Sequence, residues 1–176
     1  YSILFVKGLQ HGMAGAGGVL VTTMNPIFSY ILGLIINKKV PNFYEKIGLA
    51  VGLFGGSILL QIWSNYDVLW ASGNIYFLLA AFSWAVLSKF TAIATNYGSS
   101  MGFSLWMYLL TMLLLFTQVE ITDTISLIQK ADSRFWLNLI YNGLFSTTLA
   151  TTFFFFATTK LGSAKASSFI FLVPFS

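Results

Sequence analysis

Long uncharged runs alternate with short connections that hold nearly all of the charge, and this alternation organises the chain. Residues 14–36, AGAGGVLVTTMNPIFSYILGLII, carry no charged side chain. As a helix rising about 1.5 Å per residue they reach about 35 Å, enough to cross a hydrocarbon core about 30 Å thick. Apolar runs at 47–63, 74–95 (interrupted by Lys89), 101–118 and 136–159 predict further spans, with half-spans at 1–10 and from 164 onward. Helices are required because lipid offers no partner to a backbone amide, and no run shows the period-2 alternation of a membrane barrel strand. The predicted fold class is therefore all-α, a polytopic transmembrane helix bundle.

The connections set an orientation, since cytoplasmic loops gather Lys and Arg. Lys38, Lys39, Lys46, Lys89, Lys160 and Lys165 fall on one side, six of the nine basic residues. The opposite side holds Asp67, Glu120, Asp123 and Asp132 against Lys130 and Arg134. Trp63, Tyr66, Trp70 and Trp136 lie near the predicted outer ends, at the level where amphipathic rings favour headgroups.

Composition sharpens this picture. Hydrophobic residues make up 57% of the 176 and charged ones 8%, against about 25% charged in a soluble domain, so a water-facing surface cannot be built. The net charge of +4 is scattered in ones and twos, which leaves no basic stripe for a nucleic acid to follow. With no cysteine and one histidine, the chain has no thiolate nucleophile, no disulfide framework and no metal cluster, and no cofactor is expected. The chain opens at Tyr1 inside one apolar run and stops at Ser176 inside another. It reads as a fragment cut at both ends.

A weak internal repeat appears at an offset of 148 residues, where AGAGGVLVTTMNPIFS (14–29) lies over GSAKASSFIFLVPFS (162–176) and pairs Pro26 with Pro174 and Ala16 with Ala164. The first copy enters the membrane from the outer side and the second from the inner side. Opposite entry is the mark of inverted-topology repeats.

Four stretches then carry a family resemblance: TTMNPIFSYILGLII (22–36), KIGLAVGLFGGSILL (46–60), AAFSWAVLSKF (80–90) and FFFFATTKLGSAKASSFIFLVP (153–174). Together they resemble the EamA-type members of the drug/metabolite transporter superfamily. That resemblance implies an incomplete copy of a ten-helix fold made of two inverted five-helix repeats. Residues 1–63 would be the C-terminal part of the first repeat, 64–73 an external connection and 74–176 most of the second repeat. NFYEK at 42–46 departs from the Gly-Glu pair frequent in the family at this turn. The resemblance also implies amino acids, related metabolites or drugs as substrates, usually exported, and a multi-pass place in a cell membrane, with the bacterial inner membrane expected first.

Candidate site residues follow from polarity inside apolar spans. Pro26 removes one amide donor and frees the carbonyl of Thr22, while Thr22, Asn25 and Ser29 recur at helical spacing beside it. These residues, with Pro174 in the matching copy, are read as lining a substrate cavity. The competing reading is a packing kink. Trp84, Tyr141 and Thr148 are added because an indole and hydroxyls can orient a ligand in an apolar pocket; hydrogen bonding between helices is the alternative. Lys7, Gln10 and His11 share one helical face at i, i+3 and i+4 and form a candidate polar path close to an outer end, where Lys can instead reach the headgroups. Lys89 is read as a positive-inside anchor, and Gly48, Gly52 and Gly56 as a close-approach face for another helix.

A secondary carrier working by alternating access is the expected function. The alternatives are a scaffolding membrane subunit and, less favoured, a membrane enzyme, for which all five acidic residues lie in connections rather than spans. Expected partners are a small-molecule substrate and the lipid bilayer, with a homodimer left open and nucleic acid excluded.

Overall fold

The computed structural model describes residues 1–38, 40–64, 73–94, 96–117 and 119–175, and every regular element among them is helical. In chain order they are α1 (Ser2–His11), α2 (Ala14–Asn37), α3 (Phe43–Leu59), α4 (Asn74–Ala94), α5 (Ser100–Phe116) and α6 (Ile121–Lys130). They are followed by α7 (Ser133–Leu161) and α8 (Ser163–Ser168), which tightens into a 3₁₀ stretch at Phe169–Phe175. Tyr66, Asp67, Trp70 and Lys39, with most of the predicted 64–73 connection, lie outside the described residues.

Local chemistry explains where the helices begin. Asn42 and Glu45 form a reciprocal capping box at α3, the Asn42 side chain accepting from the Glu45 amide at 2.8 Å and the Glu45 carboxylate accepting from the Asn42 amide at 2.9 Å, so two orphan donors are satisfied at once. Ser99 caps α5 by accepting from the Gly102 amide, and Asp132 caps α7 by accepting from the Phe135 amide. Between α7 and α8 the chain turns at Gly162 with φ +86°, a left-handed conformation that glycine adopts without steric penalty.

Among the described residues three helices are long and apolar enough to cross a membrane: α2 with 24 residues, α4 with 21 and α7 with 29. α3 and α5 have 17 residues each, at the lower limit of a spanning helix. Two sequence-based expectations are amended. The run at 47–63 starts earlier, at the Asn42 cap, and its helix stops at Leu59. The connection after α5 is not simply a loop, because it holds the ten-residue helix α6.

The chain divides into two compact units, Tyr1–Ala92 with Ala157–Ser176, and Ile93–Phe156. In the first, Phe77 is fully buried and joins Leu20, Val21, Leu60 and Ala81 in a core, with Phe5, Val19, Met24 and Phe28 packed around it. Its ring sits so close to Gly8 and Gly17 that a Cβ on either glycine would collide with it. Helix α2 is the centre of this unit and packs against α1, α3, α8 and the 3₁₀ stretch. Gly56 of α3 receives the Thr23 side chain and Gly52 receives the Phe171 ring, so two glycines of the predicted close-approach face are used; Gly48 has nothing near it.

In the second unit Phe155 is fully buried and meets Phe103 edge to face, with centroids 6.1 Å apart. Most of the apolar surface of α5 is exposed: Met101, Leu105, Trp106, Leu110, Met112 and Leu113 are all more than half uncovered. A contiguous face of that kind is unusual on a soluble monomer and is ordinary where lipid is the solvent.

Candidate functional site

The best-formed polar grouping lies along α2 in the first unit. Pro26 is buried inside the helix and cannot donate to the Thr22 carbonyl. Thr22 is half-buried, and its hydroxyl donates back to the carbonyls of Gly18 (2.8 Å) and Val19 (3.1 Å). Asn25, next to the proline, is 1% exposed, and its Oδ1 has no hydrogen-bond partner. A buried amide oxygen left unpaired costs about 1–3 kcal/mol. One turn on, Ser29 and Ser167 of α8 share a buried hydrogen bond of 2.8 Å between their hydroxyls.

Pro174 is partly buried in the 3₁₀ stretch that follows α8 and packs against α2. The helix with Pro26 and the segment with Pro174, paired by the internal repeat, are thus neighbours in one unit. Sequence reasoning missed Ser163 and Ser167, both buried. Their i, i+4 spacing within SAKASS was the available signal of a small polar face toward another helix.

The remaining candidates are placed less centrally. Trp84 of α4 is half-buried and contacts the Tyr1 ring, centroids 5.0 Å apart. Lys7, Gln10 and His11 lie on helix α1, as their spacing requires, and all three are exposed; the His11 ring lies 5.8 Å from that of Tyr76. Lys89 does not sit as a surface anchor: it is 5% exposed, beside Ser88 and Thr91, whose hydroxyls are bonded to the α4 carbonyls of Trp84 and Leu87.

Tyr141 and Thr148 belong to the second unit, where both are exposed. The grouping around Asn25 is therefore one of the first unit. Tyr141 stacks on Phe145 at 5.5 Å. It immediately precedes a widened, π-helical stretch of α7, Asn142–Ala150. Inside this stretch the Thr148 hydroxyl donates to the Gly143 carbonyl five residues back, and the Tyr108 hydroxyl of α5 donates to the Thr147 carbonyl at 2.6 Å. Such widened turns are rare, and they recur at functional positions in helices.

Among the described residues no group of three His, Asp or Glu side chains gathers as a metal site would require. The arrangement offers hydroxyls, an amide and aromatic rings, which is the equipment for binding a small molecule through hydrogen bonds and stacking.

The chain is 28% identical to "Uncharacterized transporter YoaV" of Bacillus subtilis (strain 168), an alignment covering 99% of this chain and 59% of that protein. It is 27% identical to "WAT1-related protein At3g02690, chloroplastic" of Arabidopsis thaliana, over 96% of this chain and 42% of that one. The chain thus spans about half the length of these curated relatives. No solved structure matches it significantly. Residues 71–176 match the EamA-like transporter family. With more than half of its length in that match, and with long apolar helices throughout, the chain belongs to the EamA-like transporter family, a family of transporters rather than enzymes.

Proposed function

We propose that this chain is part of a secondary carrier that exports a small metabolite, such as an amino acid or a drug, across a cell membrane by alternating access. In this reading residues 1–63 complete a first repeat and 74–176 supply most of a second, inverted one. The family membership supports transport as the activity. The pairing of Pro26 with Pro174 on neighbouring segments supports two related halves that meet at a midplane site. The sequence has no Walker-type phosphate loop, so a gradient is the proposed source of energy. A bacterial inner membrane is the proposed location.

The observation that carries this reading is the buried, unpaired Asn25 Oδ1 beside the Pro26 break. A polar atom kept in an apolar interior at a cost is explained if a ligand or its water periodically meets it. Thr22, Trp84 and Pro174 are proposed to border the same path, with Lys7, Gln10 and His11 at its outer end.

The test is a metabolite accumulation screen on cells expressing the full-length protein, its Asn25→Leu variant, or neither. A metabolite depleted from cells by the wild type and retained with Asn25→Leu, at equal protein abundance in the membrane, is the expected result. Unchanged transport by Asn25→Leu would remove Asn25 from the path, and lost abundance would assign it to packing instead.

A further inference from the structure

Helix α6 is not part of a span, and the residues that separate it from its neighbours fix where it must lie. It is ten residues long, Ile121–Lys130, so it reaches only about 15 Å and cannot cross a bilayer. Four residues, 117–120, join it to the apolar helix α5, and two, 131–132, join it to the spanning helix α7. Tethers this short hold both of its ends at one membrane face.

Its side chains are sorted by side. At 100° per residue Thr124, Leu127, Ile128 and Ile125 fall within one arc, and Ser126, Gln129 and Lys130 fall on the other. Ile125, Leu127 and Ile128 are about half exposed, at 50%, 52% and 47%. Thr124 adds no free hydroxyl to the apolar arc, since its Oγ1 bonds the Glu120 carbonyl at 2.9 Å. The segment from Glu120 to Arg134 holds three acidic and two basic residues, giving a net charge of about −1, so attraction to anionic headgroups cannot be what draws the helix down.

We infer that α6 is an interfacial helix that lies flat in the bilayer surface, with Ile125, Leu127 and Ile128 inserted among the acyl chains and Ser126, Gln129 and Lys130 facing water. Its occupant is the lipid itself, recognised by apolar burial and not by headgroup charge. By this anchor α6 sets the depth at which α7 starts, because Asp132, the residue that caps α7, follows two positions after its last turn.

The full-length protein, with single cysteines introduced in turn at positions 124–130 and spin-labelled, is reconstituted in vesicles of phosphatidylcholine alone and of phosphatidylcholine mixed with phosphatidylglycerol. Collision with oxygen, which concentrates in acyl chains, is compared with collision with a water-soluble nickel chelate. The expected oxygen-to-nickel ratio is several-fold higher at 124, 125, 127 and 128 than at 126, 129 and 130, in both lipid mixtures. Uniform nickel access would place the helix in water and overturn the inference. Protection of 125 and 128 from both reagents would overturn it too, because a second copy or another protein segment would then cover the face. A pattern that appears only with phosphatidylglycerol would make headgroup charge the cause and overturn recognition by apolar burial.

Discussion

Phe77 shows how much of the first unit depends on residues that lack a side chain. Its ring is fully buried because Gly8 of α1 and Gly17 of α2 leave it room. Gly17→Ala therefore forces the ring or a helix to move, and we expect a loss of about 1–3 kcal/mol of stability, the range for overpacking a filled core. Gly18→Ala, next to it, adds its methyl group to open space and should change stability by less than about 0.5 kcal/mol. Unfolding of both variants in mixed micelles by a denaturing detergent makes the comparison; equal midpoints for the two would show that the close approach of Phe77 carries no weight. The same residue-scale logic applies to Ser29 and Ser167. Their shared hydrogen bond is buried between α2 and α8, and a double-mutant cycle with alanine at both positions should give a coupling of about 0.6 kcal/mol, the size usual for hydrogen bonds between membrane helices.

At the scale of the element, the sequence foretold spans better than it foretold their interruptions. Hydropathy placed α2, α4, α5 and α7 to within about three residues, because in lipid the length of an apolar run and the need to satisfy backbone amides are the same constraint. Charge marked the segment after α5 as a connection but hid the helix α6 inside it, in which Ile125 and Ile128 fall on an arc away from Lys130. Asn25 was legible as a polar residue beside a mid-span proline, whereas the burial of Lys89 and the contact of Ser167 with Ser29 depend on neighbours distant in sequence. The π stretch of α7 was illegible for the same reason: the carbonyl of Thr147 is met by Tyr108 of α5, 39 residues away. Tyr108→Phe deletes that donor and should cost about 1 kcal/mol. Amides of Asn142–Ala150 should then exchange with deuterium several-fold faster, while those of α2, in the other unit, stay unchanged. No difference at 142–150 would mean that the stretch holds its width without Tyr108.

The topology of the whole molecule turns on whether the two 17-residue helices cross. α3 and α5 each rise about 25 Å, short of a hydrocarbon core of about 30 Å unless the bilayer thins or flanking residues reach out to the interface. Between Val40, in the turn after α2, and Gln129, in the last turn of α6, the chain runs through α3, α4 and α5. If all three cross, the two positions are on opposite faces; if one of the short helices only dips into the membrane and returns, they are on the same face. The charge supports three crossings. Lys38, Lys39 and Lys46 surround the first position, while the segment around the second has more acidic residues than basic ones, the asymmetry expected of inner and outer connections. Because the sequence has no cysteine, Val40→Cys and Gln129→Cys can be introduced singly into a full-length protein that carries no other cysteine, and treated in intact cells with a membrane-impermeant maleimide. Gln129→Cys should react at once and Val40→Cys only after the membrane is opened. Reaction of both in intact cells would give an even number of crossings between them, and the inverted arrangement of the Pro26 and Pro174 segments would fall with the parity on which it depends.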